Sequence, residues 1–291
     1  MRWPPPADWP LLEHSRQILC RPHRWHVQEM GQGETLLLLH GTGCSVHSFR
    51  GLAPILAQSH RVISLDLPGQ GLTQLGARHR SGLHATTEDI ANLCAQEGWQ
   101  PAAIIGHSAG GAVALNLTHR LVSPRGQAPR VIGINPALEN FKGMASVMFP
   151  AMAKMLALTP FTAEMVSRTS DSPERVAALI RSTGSDLDPI GLQLYRRLIR
   201  DRDHVDGTLL MMASWSLNHL RQELPKLAMP ALFLTGARDR TVPPASPARA
   251  AARMPDCRTV TLPDLGHLAH EEAPDRVAAL IQGFLADQPL S

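Results

Sequence analysis

Short apolar runs punctuate this chain, separated by stretches where apolar side chains recur every three or four residues. The runs fall at 17–20, 24–28, 35–39, 61–65, 102–105, 130–134, 231–234 and 258–262, each of strand length. Runs with no polar alternation, such as the four leucines at 36–39, mark strands buried on both faces. Helical patterns separate the later runs, so the order predicts an α/β chain. A mostly parallel sheet with helices on both faces and right-handed crossovers is expected, opened by an antiparallel hairpin.

Between residues 140 and 219 the strand rhythm stops and helical patterns take over. One helix is predicted over 144–156, one from Ser172-Pro173-Glu174, one from Asp188-Pro189 and one over 208–219. Ser172 and Asp188 suit N-caps because each precedes a proline that fits the first helical position. A helical block inserted after the sixth strand reads as a lid over 140–219, free to gate a site. The core is then 1–139 with 220–291.

Where the fifth run ends, Gly106-His107-Ser108-Ala109-Gly110 leads into a helical pattern. Strand, Gly-x-Ser-x-Gly and helix in that order make a nucleophile elbow. The turn forces the serine into a strained backbone conformation, and only small residues two before and two after avoid a clash. The helix starting at Ala109 turns free N–H groups and its positive end toward any anion forming at Ser108. By chance alone such a pattern arises roughly once in ten chains of this length, so its partners must carry the reading.

The acid candidate is Asp239, on the loop where the run 231–234 breaks at Gly236, at the carboxyl end of a strand where open α/β sheets place their sites. The base candidate is His267, just past the run 258–262. His270 competes, but Gly266 lets the loop turn sharply and present the His267 ring, whereas His270 is expected to cap or pack at the last helix. Directly after the run 35–39 stands His40-Gly41-Thr42-Gly43, whose glycines let backbone approach a ligand. The amides of Thr42 and Ala109 are therefore the oxyanion candidates. His40, Gly41, Gly43 and His107 flank them as pocket candidates, although a structural role is the plainer reading for both histidines.

The chain has 291 residues and a net charge of +3, with 25 Arg to 3 Lys, and no basic cluster along one helix to suggest nucleic acid. Cys20, Cys44, Cys94 and Cys257 lie far apart, without metal or disulfide spacing, so neither metal nor cofactor is expected. The first residues lack the apolar core of a secretory signal, and Pro150 and Lys154 interrupt the apolar tract 144–161. A cytoplasmic protein without a transmembrane segment is expected, peripheral membrane association being left open.

Met144, Met148, Met152 and Met155 recur at helical spacing, with Met211 and Met212 later. They either pack the lid on the body or offer a soft wall to a broad apolar ligand, for which Met148, Met152 and Met212 are the candidates. Arg168, Arg175, Arg196, Arg197 and Arg200 either meet substrate carboxylates or form a solvated basic face.

Over nearly its whole length the chain resembles the α/β-hydrolases, through His40-Gly41, Gly106 to Gly110, the loop 236–239 and Gly266-His267. More narrowly it resembles the magnesium-chelatase accessory hydrolases of bacteriochlorophyll biosynthesis. Asp8-Trp9-Pro10, Ser15-Arg16, the stretch 24–28, His47-Ser48, the stretch 66–71, Asn135-Pro136-Ala137-Leu138, Phe149-Pro150 and Ala153-Lys154 carry that likeness. Gln70, Pro136 and Phe49 depart from the pattern, where His, Gly and Trp are usual; none is in the proposed triad. The resemblance implies a role in or beside magnesium chelation, with a porphyrin or its ester as substrate and chelatase subunits as partners.

The residues argue for ester or related acyl hydrolysis through an acyl-enzyme on Ser108. A serine nucleophile is unlike the carboxylate of haloalkane dehalogenases and epoxide hydrolases. Two alternatives stand beside it: a non-hydrolytic accessory that binds porphyrin or docks on the chelatase, and a generic carboxylesterase.

Overall fold

Leu36, Leu37, Leu38 and Leu39 have no solvent exposure, and their alternation sends them to opposite faces of one sheet. Leu37 and Leu39 pack with Ile63, Leu65 and Ile104 on one side, whereas Leu36 and Leu38 join Val62, Ile105 and Ile132 on the other. Each such leucine contributes about 1.5–3 kcal/mol of burial. The computed structural model describes residues 1–139, 164 and 172–287.

All eight predicted strands form, within a few residues of the expected bounds. They are β1 (Ser15–Cys20), β2 (His23–Met30), β3 (Thr35–Leu39), β4 (Arg61–Leu65), β5 (Ala103–His107), β6 (Arg130–Ile134), β7 (Ala231–Gly236) and β8 (Cys257–Leu262). They join one sheet in the order β1-β2-β4-β3-β5-β6-β7-β8. The hairpin β1–β2 and the pair β2–β4 are antiparallel, and every other pairing is parallel. Helices α1 (Leu52–Leu56), α2 (Leu83–Glu97) and α3 (Ala109–Leu117) follow the early strands. The faces are covered by α2 and α3 on one side and by α1 and the last helix on the other.

Among the described residues no strand lies between β6 and β7. That span holds α4 (Pro173–Ser182), α5 (Pro189–Arg200), α6 (Arg202–Ser214) and α7 (Asn218–Glu223). Ser172 and Asp188 cap α4 and α5 as expected, accepting from the amides of Arg175 and Gly191 at 3.2 and 2.5 Å. The single helix expected over 208–219 is instead two. Asp201 starts α6 by accepting from the His204 amide at 2.8 Å, and extended backbone at Trp215 ends it before α7 begins. That cap was hidden in Arg200-Asp-Arg-Asp203, which reads equally well as the end of the preceding helix.

The described helices of this insertion are seated on the body. Arg197 grips Asp8 with two hydrogen bonds of 3.0 and 2.7 Å, and the Gly71 amide donates to His204 Nδ1 at 3.0 Å. Gly207 of α6 lies so close to the body that a Cβ there would fall 2.1 Å from the Gly69 carbonyl oxygen. The helix expected over 144–156, its methionines and Arg168 lie outside the described residues. The chain closes with α8 (Ala245–Ala251), α9 (Ala269–Glu272) and α10 (Pro274–Leu285). No helix among the described residues is long and apolar enough to cross a membrane.

Candidate active site

Ser108 sits between β5 and α3 with φ 51° and ψ −117°, a conformation that costs a non-glycine residue about 1–3 kcal/mol. Close packing holds it there. A Cβ on Gly106 would lie 2.2 Å from the Gly110 carbonyl oxygen, and one on Gly110 would lie 2.1 Å from that of Leu39. The Ser108 amide donates to Ile134 at 3.0 Å, while its carbonyl accepts from Gly111 and Ala137, both at 3.0 Å. The elbow thus has the form its spacing predicted.

Asp239 and His267, on the loops after β7 and β8, meet at 2.7 Å between Oδ2 and Nδ1. A carboxylate only accepts, so the imidazole carries its proton on Nδ1 and leaves Nε2 as the basic nitrogen. The other carboxylate oxygen accepts from the amides of Thr241 and Val242 at 2.7 and 2.9 Å, which fixes the acid in one rotamer. His107, the neighbour of Ser108, lies against the His267 ring with centroids 4.8 Å apart, so the elbow and the base loop are packed together. Gly41 of the loop after β3 approaches from the other side: a Cβ there would stand 2.9 Å from the Ser108 Cβ. Thr42 follows it, and Ala109 opens α3, where the first amide has no intrahelical acceptor.

A profile of the alpha/beta hydrolase family matches residues 36–280. The chain belongs to the alpha/beta hydrolase family. It is 45% identical over 282 residues to the magnesium-chelatase 30 kDa subunit of Rhodobacter capsulatus, covering 96% of this chain and 97% of that one. It is 29% identical over 266 residues to the pimeloyl-[acyl-carrier protein] methyl ester esterase of Xanthomonas axonopodis pv. citri (strain 306), covering 91% of this chain and all of that one. Among solved structures, a thermophilic esterase from Thermogutta terrifontis has a TM-score of 0.74 at 24% identity, covering 94% of this chain and 98% of that one. The epoxide hydrolase CorEH has a TM-score of 0.78 at 20% identity, with 94% and 98% covered. These structures share the fold.

Within this alpha/beta hydrolase the remaining candidates separate. His270 is fully buried with neither ring nitrogen hydrogen-bonded, between Phe49 and His107, and burial pushes it down to about 3. It is a neutral packing residue. Gly266 serves a purpose other than the sharp turn expected of it. Its φ is not left-handed, and what excludes a side chain is close approach, since a Cβ would lie 2.3 Å from the Gly184 carbonyl oxygen.

His40 ties the loop after β3 to the loop after β4, accepting from the Leu67 amide at 2.9 Å on Nε2 and donating from Nδ1 to the Gly41 carbonyl at 2.7 Å. Burial lowers its pKa and keeps it neutral. Burial likewise holds His107 well below the ordinary histidine range, and its Nε2 donates to the His267 carbonyl at 3.0 Å. Both histidines are scaffold. Gly43, with φ 79°, donates its amide to Gln70 Oε1 at 2.6 Å, so the departure at Gln70 anchors the proposed oxyanion loop.

Met212 was a pocket candidate, but it is 37% exposed, and Met211 is the methionine that turns inward. The Met211 sulfur accepts from Thr42 Oγ1 at 3.6 Å and Gln70 Nε2 at 3.0 Å. The two are adjacent, and sequence spacing could not tell which faces in. Met148 and Met152 lie outside the described residues.

Asn135 was noted in the sequence only as part of a family stretch. It adopts φ 45° at the end of β6, where its Nδ2 donates to the carbonyls of Gly266 and His267 at 3.0 and 2.9 Å. Its Oδ1 accepts from the Gly236 amide at 2.7 Å, so one side chain braces both the acid loop and the base loop. An asparagine between a strand end and a proline is the available signal, because asparagine tolerates the left-handed region.

Proposed function

We propose that this protein is a serine hydrolase acting on an ester or related acyl group, in or beside the magnesium-chelation step of bacteriochlorophyll biosynthesis. The observation that carries it is the 2.7 Å bond from His267 Nδ1 to Asp239, packed against the elbow that strains Ser108. In this reading His267 Nε2 takes the Ser108 proton as Oγ attacks the carbonyl carbon, and the amides of Thr42 and Ala109 hold the oxyanion. The proton then passes to the leaving alcohol as its bond to the acyl carbon breaks. Water, deprotonated by the same imidazole, releases the acid and restores Ser108. Asp239 keeps the tautomer fixed and steadies the imidazolium.

The pathway placement and a chelatase subunit as partner rest on the likeness to the Rhodobacter capsulatus subunit. Ester chemistry is supported by the likeness to the methyl ester esterase. We propose that the helical insertion over 140–219 serves as the lid, with a porphyrin or its ester beneath it.

A fluorophosphonate probe should label the folded protein at Ser108 and fail to label Ser108→Ala, read by intact mass. Absence of labelling in the wild type would remove the hydrolase reading. The chelatase-subunit name favours a second reading, a porphyrin-binding accessory. It predicts saturable quenching of tryptophan fluorescence on porphyrin titration and pigment rescue by Ser108→Ala in a deletion strain. A generic carboxylesterase would turn over short nitrophenyl esters with no pigment phenotype.

A further inference from the structure

The two peptide N–H groups that flank His267 are both held by side chains, and one of these comes from the helical insertion. The Gly266 amide donates to Glu272 Oε2 at 2.8 Å, and the Leu268 amide donates to Ser185 Oγ at 2.8 Å. Ser185 Oγ in turn donates to Glu272 Oε2 at 2.9 Å, so the two holders are one unit. Ser185 lies between α4 and α5 and is only 2% exposed. Its loop touches the acid side too. The Thr183 carbonyl accepts from the Arg240 amide at 3.0 Å, and Gly184, with φ 86°, presses so closely that a Cβ would fall 1.8 Å from the Arg238 carbonyl oxygen. The loop between α4 and α5 is therefore wedged against the residues on both sides of Asp239 and His267.

We infer that Ser185 is a positioning residue for His267, so that seating the helical insertion on the body is what sets the base. The inference rests on the hydrolase reading above. If the insertion lifts, the Leu268 amide loses its acceptor and Glu272 loses two donors, Ser185 Oγ and the Asp186 amide, and the base loop is then free to shift while Ser108 stays where its glycines hold it. A ligand or partner that seats or lifts α4 and α5 would thereby switch the base without touching the nucleophile.

The test compares full-length wild type, Ser185→Ala and Glu272→Gln by the rate of fluorophosphonate labelling across pH and by kcat and KM for a nitrophenyl ester. Ser185→Ala should lose about tenfold or more in labelling rate and kcat, a loss of the size that follows from small misplacement of a reacting group. KM should stay within about twofold, because no ground-state contact is removed. Glu272→Gln keeps an acceptor for Gly266 and Ser185 but turns an NH2 group toward the Asp186 N–H, so it should lose part of the rate, less than Ser185→Ala does. A folded Ser185→Ala that labels at the wild-type rate at every pH overturns the inference. If that variant fails to fold, Glu272→Gln decides: a rate indistinguishable from wild type together with an unchanged pH profile overturns it, and a partial loss supports it. If the wild type itself does not label, the hydrolase reading fails, and the inference is read from the downfield Nδ1 proton of His267, assigned by its loss in His267→Gln. That signal should weaken or move in Ser185→Ala, and its persistence unchanged overturns the positioning role.

Discussion

Around Ser108 the backbone is fixed by contacts that leave no room for a Cβ, whereas around His267, beyond one such contact at Gly266, it is fixed by side-chain hydrogen bonds, most of them drawn from remote parts of the chain. The elbow depends on Gly106 and Gly110, close in sequence, packed against their own turn and β3. The base loop depends on His107, Asn135, Ser185 and Glu272, which between them bind two amides and two carbonyls from Gly266 to Leu268. Steric exclusion is all-or-none, while hydrogen bonds are lost one at a time at about 0.5–1.5 kcal/mol each. The Ser108 turn is thus the rigid partner, and the His267 loop is the one whose placement can be lost by degrees.

Breaking the steric side should have the largest effect. Gly110→Ala puts a methyl 2.1 Å from the Leu39 carbonyl oxygen, with backbone on both sides unable to yield. We expect a loss above about 4 kcal/mol, or no soluble folded protein at all. A urea midpoint near that of the wild type would mean the elbow is not held by sterics.

Asn135→Ala attacks the other side. It removes the two Nδ2 hydrogen bonds to the Gly266 and His267 carbonyls and the acceptor for Gly236, and places alanine at φ 45°. A loss of about 3–4 kcal/mol in urea unfolding is expected, together with slower labelling of Ser108. Asn135→Gly should recover only the backbone part. Equal stability of the two variants would show that strain at this position contributes nothing.

The smallest effect is pH-dependent and belongs to the packing behind the base. His270 is held at about 3 by burial, below its ordinary value of 6.5, so its neutral form favours the folded state. That contribution is complete above pH 6.5 and is lost as pH falls toward 3, because the unfolded chain takes up a proton that the folded one refuses. By pH 4.5 the loss amounts to roughly 2–3 kcal/mol. His270→Leu should therefore show a shallower fall in Tm between pH 7 and 4.5 than the wild type, with little change at pH 7. Parallel curves would mean that His270 becomes charged without cost.

Much of the fold is legible in the chain. The eight runs became eight strands because a buried parallel strand must be apolar on both faces, and that leaves a mark in consecutive residues. Ser172 and Asp188 were readable as caps for the same local reason, while Asp201 was not, because its neighbours continue a helical pattern. The glycine before His267 marks the loop that presents this ring, and it is this ring, not that of His270, that bonds Asp239. That glycine is required by the close approach of Gly184, a tertiary contact, and not by a left-handed turn. Met211 and Met212 show the same limit: adjacent residues of one type are separated only by which way the helix is turned when it packs.

The sequence by itself determined the strand order along the chain, the strained turn at Ser108 and the loops on which Asp239 and His267 stand. Each depends on residues within a few positions of one another, where period, turn chemistry and glycine sterics act. The tertiary structure alone decided what else surrounds His267, bringing residues 107, 135 and 185 to one short loop. It also decided that part of this support comes from the helical insertion. Hydrogen bonds between residues so far apart form only after the sheet and its insertion have packed, and nothing in local spacing records them.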